Sequence, residues 1–467
     1  MPFNVTPISC SDPAFFNNYI TDTAGSNINS VAIGDLDGDG LTDIVSVDDR
    51  LGAGENGFVS ILRNISTSGN IAFDAEINYP TRYYPVSIAI GDLDGDGKPE
   101  LVVANSDSDT VSFFKNISTV GNISFTQSIE LLSGAKPYSV AINDLDADGK
   151  LDVAVANFNS NSISIFRNIT NTGNISFASK IDFTTSNGAY SLAIGDLDGD
   201  TKPDLGVSCM SSNKLSVLKN TSSTGAISFA PKIDLITSNS PYVVQMGDVD
   251  LDGKLDLAVC NSGSNSVSVF RNTSSIGNLS FAPKVNFTTA SGPLSIAIAD
   301  LDGDGKPELT TSNLNSANNS VFKNTSSTGT VTFDPHVDYT NNSLGWGNTA
   351  IGDLNGDSRA ELITGGAYNI GILQNECTIN IYENANNRNS VSVFPNPFEY
   401  STIIEFENKQ NDHYTFTLYN SLGDIVRKTD NITTNVFKLE RNQLKSGIYF
   451  FTLSSNQHNN TGKLIIQ

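Results

Sequence analysis

The chain is poor in several residue types, and each scarcity excludes something. Its 467 residues hold only three histidines, four cysteines and one tryptophan, with 27 basic residues against 50 acidic ones. His336, His413 and His458 are scattered and do not recur, so no imidazole is set up for zinc or general acid–base work. No Gly-x-Ser-x-Gly elbow and no phosphate-binding loop is present. No apolar run reaches the roughly 18 residues that a membrane-spanning helix needs. A net charge of −23 and a pI near 4.3 argue against nucleic acid or an anionic membrane surface as partner. The opening MPFNVTPISCS has neither a charged n-region nor an apolar h-region, so a truncated or processed start is expected.

What is abundant is acid at fixed spacing. In Asp92-Leu93-Asp94-Gly95-Asp96-Gly97-Lys98-Pro99-Glu100, carboxylates occupy positions 1, 3, 5 and 9 of a nine-residue loop. Alternate side chains of a tight loop converge on one point, and converging hard oxygens suit Ca2+. Glycine at position 6 permits the positive φ of a sharp turn. The loop recurs from Asp35, Asp92, Asp144, Asp196, Asp248, Asp300 and Asp353, at spacings of 57, 52, 52, 52, 52 and 53 residues. The candidate ligands are Asp35, Asp37, Asp39 and Asp43; Asp92, Asp94, Asp96 and Glu100; Asp144, Asp146, Asp148 and Asp152. They continue as Asp196, Asp198, Asp200 and Asp204; Asp248, Asp250, Asp252 and Asp256; Asp300, Asp302, Asp304 and Glu308; and Asp353, Asn355, Asp357 and Glu361. Twenty-seven of these 28 positions are acidic, so seven bound Ca2+ ions, one per repeat, would bring the net charge from −23 to −9. Thr201 replaces the position-6 glycine in the fourth loop. Asn355 and Ser358 weaken the seventh, so these two sites are expected to bind least tightly.

The flanks say what the loop joins. Position 12, where an EF-hand places its glutamate, is serine, valine or threonine throughout (Ser46, Val103, Thr311 and so on). Ser87-Ile88-Ala89-Ile90 precedes the second loop and Leu101-Val102-Val103-Ala104 follows it, both reading as short strands. One repeat divides into strand A (139–143), strand B (153–157), strand C (162–167) and strand D (175–183), with no helical period. Four strands in about 50 residues, repeated seven times, predict an all-β, seven-bladed β-propeller. These repeats resemble the FG-GAP/VCBS class, best known from the integrin α-chain propeller. The resemblance covers roughly residues 14–375 and rests on the acidic loops rather than on Phe-Gly or Gly-Ala-Pro signatures.

Ring closure is also readable. A phenylalanine lies 19 or 20 residues before each later loop (Phe73, Phe125, Phe177, Phe229, Phe281, Phe333), and the same count back from Asp35 reaches Phe16. Residues 14–20 are therefore expected to be a strand D that completes the last blade, which otherwise would leave a bare edge. Cys10 and Cys377 fall on one corner of that composite blade. A disulfide there would staple it in an oxidising compartment, with two buried thiols as the alternative. Cys209 and Cys260 end equivalent B strands, and both pairing and free thiols stay open for them.

The propeller is assigned to 1–385 and a polar linker to 386–392. Residues 393–467 read as a small β-sandwich. The motifs Phe394-Pro395-Asn396-Pro397-Phe398, Leu418-Tyr419-Asn420, Leu444-Lys445-Ser446-Gly447-Ile448-Tyr449 and Lys463-Leu464-Ile465-Ile466 occur in that order. They resemble the type A sorting domain of the type IX secretion system of Bacteroidota. That resemblance implies an address read at the outer membrane by the export machinery, and a protein that is secreted or held at the cell surface.

The function expected is a monomeric, non-catalytic binding module for a glycan or protein. Its ligand face lies opposite the acidic loops, where Tyr84, Tyr138, Tyr190, Tyr242 and Trp346 enter their A strands among Asn and Ser residues. Packing of those tyrosines between blades is the alternative for the residues. A polysaccharide-degrading enzyme or its accessory subunit, and a structural spacer, are the alternatives for the chain. Six Asn-x-Ser/Thr triplets, at Asn64, Asn116, Asn168, Asn220, Asn272 and Asn324, read as glycan acceptors or as turn formers.

Overall fold

A computed structural model describes residues 16–22, 25, 27–49, 56–67, 69–171, 173–340, 347–367, 369–376, 391–398, 400–406, 408, 412–419, 425–442, 444–455 and 459–466. Cys10, Cys377, Trp346 and most of the expected linker lie outside them. The chain forms two compact units, Met1–Ile379 and Asn380–Gln467.

Among the described residues, unit one consists of seven four-stranded antiparallel sheets, here sheets I to VII in the order of their acidic loops. Sheet III shows the plan: strand A Pro137–Asn143, B Asp152–Asn157, C Ser162–Phe166 and D Ile181–Thr184. Strand B is flanked by A and C and covered on both faces by neighbouring sheets, so every residue of it is buried in all seven sheets. Apolar runs such as Leu101–Ala104 suit that, and the small hydroxyl residues Thr310, Thr311 and Ser312 take their place in sheet VI. Strand D is the outer edge and is mostly half-buried to exposed, with Ile129 and Leu132 exposed in sheet II.

The core is divided. One apolar cluster lies at each junction between successive sheets, for example Val153 and Val155 with Val102 and Phe113 between sheets II and III. The circle closes through Ile28 and Ile44 of sheet I against Ile363 and Ile372 of sheet VII. Strand A of each sheet touches strand A of the next, and that of sheet VII touches that of sheet I. At that junction Gly352 has no room for a side chain, because a Cβ would lie 2.3 Å from Ile33 Cδ1.

Sheet VII draws its outer strand from the start of the chain. Phe16–Asp22 pairs antiparallel with Ile370–Asn375, Phe16 standing opposite Asn375. The phenylalanine landmark has a different basis from the one expected. Phe73, Phe125, Phe177, Phe229, Phe281 and Phe333 are not in strand D. Each forms an isolated bridge to the asparagine two residues beyond strand C, as Phe177 does with Asn168. Strand D starts later and is short, at 181–184 rather than 175–183 in sheet III. Cys209 and Cys260 are buried and free, which removes the pairing alternative.

In unit two, Ser392–Phe394, Ser401–Glu405 and Val436–Glu440 make a three-stranded sheet. Ile425–Ile432, Tyr414–Tyr419, Gly447–Ser454 and Asn459–Ile466 make a four-stranded one. Ile404 and Leu439 from the first share one core with Phe416, Phe451 and Leu464 from the second. Among the described residues, no helix is long and apolar enough to cross a membrane.

Candidate metal centres

Each acidic loop leaves strand A and enters strand B. In the first loop, Asp35 at position 1 accepts three backbone N–H groups: Gly38 at 2.7 Å, Asp39 at 3.2 Å and Gly40 at 2.9 Å. These bonds curl the backbone around the carboxylates. Position 6 has positive φ in all seven loops, from 87° at Gly40 to 70° at Thr201 and 67° at Ser358. Position 4 does too, which the sequence reading missed. Ala147 and Leu251 both hold φ of 57° there, a conformation that is strained by about 1–2 kcal/mol with a side chain present. The third and fifth loops therefore carry strain alongside the fourth and seventh.

The carboxylates converge as expected. Oxygens of Asp35, Asp37 and Asp39, of Asp92, Asp94 and Asp96, and of Asp144, Asp146 and Asp152 lie within 4.8 Å of one another in each group. So do those of Asp196, Asp198 and Asp204, and of Asp248, Asp250 and Asp256. Position 3 is buried, and Asp198 Oδ1 and Asp250 Oδ1 have no hydrogen-bond partner. A buried carboxylate oxygen without a partner is costly, and a cation in the loop would supply what it lacks. Such clusters could hold metal ions.

Position 9 closes each loop from beneath. Asp43 Oδ2 accepts from Leu36 N–H at 2.9 Å and Oδ1 from Asn64 N–H at 2.8 Å. Burial pushes this carboxyl up to about 6, against the lowering effect of those two N–H groups and with help from the neighbouring Asp37 and Asp39. Burial likewise pushes Glu100, Asp152, Asp204, Asp256, Glu308 and Glu361 up to about 7. A divalent cation would reverse that shift by favouring the ionised form.

Two further features of the loops went unread in the sequence. A basic side chain at the end of strand C leans on the loop of its own sheet. Arg63 pairs with Asp37 at 2.7 Å, Arg167 with Asp146 at 3.6 Å, Arg271 with Asp252 at 3.9 Å and Lys323 with Asp302 at 2.7 Å. Lys115 pairs with Asp94, and Lys219 with Asp198. Part of the acidity assigned to metal is therefore met from within.

The second feature is the next residue along. The side chain of Asn116 donates to the carbonyl of Leu36, in the loop of the preceding sheet, at 2.9 Å. Asn168 does the same to Leu93, Asn220 to Leu145, Asn272 to Leu197, Asn324 to Val249 and Asn375 to Leu301. Asn64 completes the circle by donating to Leu354 at 2.8 Å. Each asparagine is buried, and within the triplets its Oδ1 accepts from the backbone two residues on, as in Asn116 with Ser118 N–H. These asparagines are clasps between sheets and have no access to a glycan-transferring enzyme. The signal was present as a basic residue plus Asn-x-Ser/Thr, recurring in step with the loops.

Tyr138, Tyr190 and Tyr242 share one register, the second residue of strand A. They stack in series, with ring centroids 4.9 Å and 4.5 Å apart. Tyr84 stands apart, in a left-handed turn residue (φ 52°) before strand A of sheet II. All four line one cavity at the end of strand A remote from the loops. Burial raises the hydroxyl pKa of Tyr84, Tyr190 and Tyr242, so they stay neutral. His336 sits beside Asp338 at 2.9 Å next to an outer strand D, and His413 belongs to the other unit.

Repeated four-stranded antiparallel sheets, closed on themselves and each carrying one acidic loop, define a β-propeller of acidic-loop repeats. The FG-GAP-like repeat model matches residues 35–103, 92–155, 144–207 and 248–311, and the chain belongs to that family. Residues 392–467 match the secretion system C-terminal sorting domain. A chain bearing this type IX address is a secreted or cell-surface protein that engages the type IX machinery. No curated protein matches the chain. Among solved structures, a candidate 6-phosphogluconolactonase from Bacteroides fragilis is 13% identical, with TM-score 0.51, covering 68% of this chain and 85% of its own. A Lactobacillus plantarum protein is 16% identical, with TM-score 0.48, covering 68% and 87%. The periplasmic gluconolactonase of Pseudomonas aeruginosa is 17% identical, with TM-score 0.46, covering 64% and 83%. At such identities a likeness speaks to fold alone, and here only the Bacteroides fragilis protein carries that argument.

Proposed function

We propose that the protein is a secreted or cell-surface, calcium-loaded seven-bladed propeller. It acts as a non-catalytic binding module that offers a glycan or protein ligand the face opposite its loops. The observation that carries the reading is the recurrence, in every sheet, of one acidic loop whose position-3 and position-9 side chains are buried, in a chain that ends in an export address. Positions 1, 3, 5 and 9 of each loop would hold Ca2+, which supplies charge neutralisation and a rigid corner between strands A and B. Hard carboxylate oxygens without imidazole or thiolate favour that ion over zinc or copper.

The same carboxylates are poor candidates for catalysis, because backbone N–H groups and basic side chains already occupy them. The Bacteroides fragilis neighbour, by its name a 6-phosphogluconolactonase, keeps an enzyme as the second reading. The test is binding of the full-length protein to glycan and extracellular-protein arrays in calcium and in chelator, alongside a reducing-sugar release assay. Calcium-dependent binding without product is the expected result. Turnover on any saccharide or lactone would overturn the non-catalytic reading.

A further inference from the structure

The axis of unit one carries a feature that the acidic loops do not explain. A serine is the third residue of strand A in five sheets: Ser30, Ser87, Ser139, Ser191 and Ser295. All five line an axial cavity of about 360 Å3, together with Asn348 of sheet VII. Their oxygens are held in place by the next sheet. Val140 N–H donates to Ser87 at 3.2 Å, Leu192 N–H to Ser139 at 3.3 Å, Val244 N–H to Ser191 at 3.4 Å and Thr349 N–H to Ser295 at 2.9 Å. Ser30 accepts from Asn348 Nδ2 at 3.4 Å. A hydroxyl fixed as an acceptor still has its own proton to give. The cavity is thus ringed by oriented O–H donors.

The tyrosine cavity, about 60 Å3, borders this one and shares Ser139, Ser191, Val243 and Asn348 with it. Among the described residues, the aromatic wall is one-sided. At the register of Tyr138, Tyr190 and Tyr242, sheet II has Val86 and sheet VI has Leu294. A plug needed only to fill the axis would have no reason to put its aromatic rings on one side. Tyr84 joins the wall from a left-handed backbone (φ 52°), a conformation that strains a residue with a side chain. Among the described residues, no charged side chain and no histidine lines either part. A charged ligand would be desolvated there without a partner.

We propose that this axial site takes the end of an uncharged saccharide. A pyranose offers an apolar C–H face to the rings of Tyr138, Tyr190 and Tyr242, and an edge of hydroxyl and ring oxygens to the serine donors and Asn348. The volume is near the small end of the roughly 300–1,000 Å3 range of ligand sites, so a chain end enters rather than a chain middle. The inference rests on the binding-module reading and names its ligand class.

The experiment uses the full-length protein in calcium on an array of neutral and acidic oligosaccharides. Neutral ones should be retained, and acidic ones of the same length should not. For a retained oligosaccharide, saturation of the tyrosine ring protons should transfer to the sugar ring protons. Affinity should fall at least tenfold in Tyr190→Ala and at least threefold in Ser139→Ala/Ser191→Ala, while Tyr190→Phe stays within twofold of the original. Melting curves of each variant identify any that misfold, and saturation transfer in the unaltered protein then decides. Neutral-sugar binding that is indifferent to Tyr190→Ala and shows no transfer from tyrosine overturns the axial site and leaves the binding module standing. Binding to acidic glycans or proteins alone does the same. Silence on every array overturns both.

Discussion

The two ends of the propeller sheets follow different rules. At the loop end the same design is repeated seven times. An acid at position 1 gathers backbone N–H groups, a buried acid at position 9 closes the loop, and an asparagine from the next sheet holds the position-2 carbonyl. At the tyrosine end the residues change from sheet to sheet, with three stacked rings in sheets III to V, Asn29 in sheet I, Val86 in sheet II and Leu294 in sheet VI. Uniformity is what a ring needs where each sheet must fit its neighbours. Variation is affordable only where packing is already complete, and there a surface can be shaped for one ligand.

That contrast can be broken most forcefully through the metal. With ~2 mM free Ca2+ and sites of ~0.1 mM, linkage gives ~2 kcal/mol per loop. Chelation is expected to lower the melting transition of unit one by more than ten degrees and to leave that of the sorting domain in place. Calorimetry of the full chain in calcium and in chelator checks this. A propeller transition that does not move would remove calcium from the account.

A clasp is the next target. Asn116→Ala leaves the carbonyls of Leu36 and Pro99 without their buried donor. The expected loss is ~2–6 kcal/mol, from two desolvated carbonyls at ~1–3 kcal/mol each. The exposed Asn122, on the same turn, should change stability by less than ~0.5 kcal/mol when replaced by alanine. Equal losses in chemical denaturation would show that the clasp is not what holds the loops together.

Acidity separates the metal-free ring from the loaded one. Without a cation, Glu100 and its position-9 counterparts have folded-state pKa values near 7, or about 6 for Asp43, against ordinary values of 4.5 or 3.8. The folded state then holds these protons more tightly than the unfolded one, so their contribution is complete below about pH 4 and is lost as pH rises towards about 7. Chelated protein should therefore lose stability across that window. Calcium-loaded protein should gain it, because the ion favours the carboxylates. Parallel denaturation curves at pH 5 and pH 7.5 read the two slopes, and slopes of the same sign would contradict this account.

The smallest effect tests the loops against one another. Thr201→Gly and Leu251→Gly each relieve a side chain at positive φ and are expected to stabilise by ~1 kcal/mol. Gly97→Ala should destabilise by a similar amount, since it introduces the strain that the others remove. Denaturation midpoints in saturating calcium measure all three.

How far the sequence reached follows from these same residues. The acidic loops were legible because ligands at alternate positions leave a short local pattern, and seven copies in register leave little else to explain it. Ring closure was legible through Phe16, which opens the outer strand of sheet VII opposite Asn375, whereas its six counterparts form isolated bridges ahead of their outer strands. The clasps were hidden because Leu36 and Asn116 are 80 residues apart, and nothing local in Asn-Ile-Ser distinguishes a buried clasp from an exposed acceptor. The tyrosines were grouped by proximity to strand A, whereas their register within it decides which of them stack. Position 4 was overlooked because glycine fills it in five loops and passes for simple flexibility.

The direction of the clasps has a consequence for the growing chain. Leu36 waits for Asn116, 80 residues later, and Leu93, Leu145, Leu197, Val249 and Leu301 wait for donors 74 or 75 residues later. Leu354 waits for nothing, because its donor, Asn64, was made 290 residues earlier. As the protein is synthesised, six loops stay unfinished until the following repeat has emerged, and the seventh finds its partner already made. The last repeat therefore acts as a latch: its arrival finishes its own loop and the one before it, and turns an open arc into a closed ring.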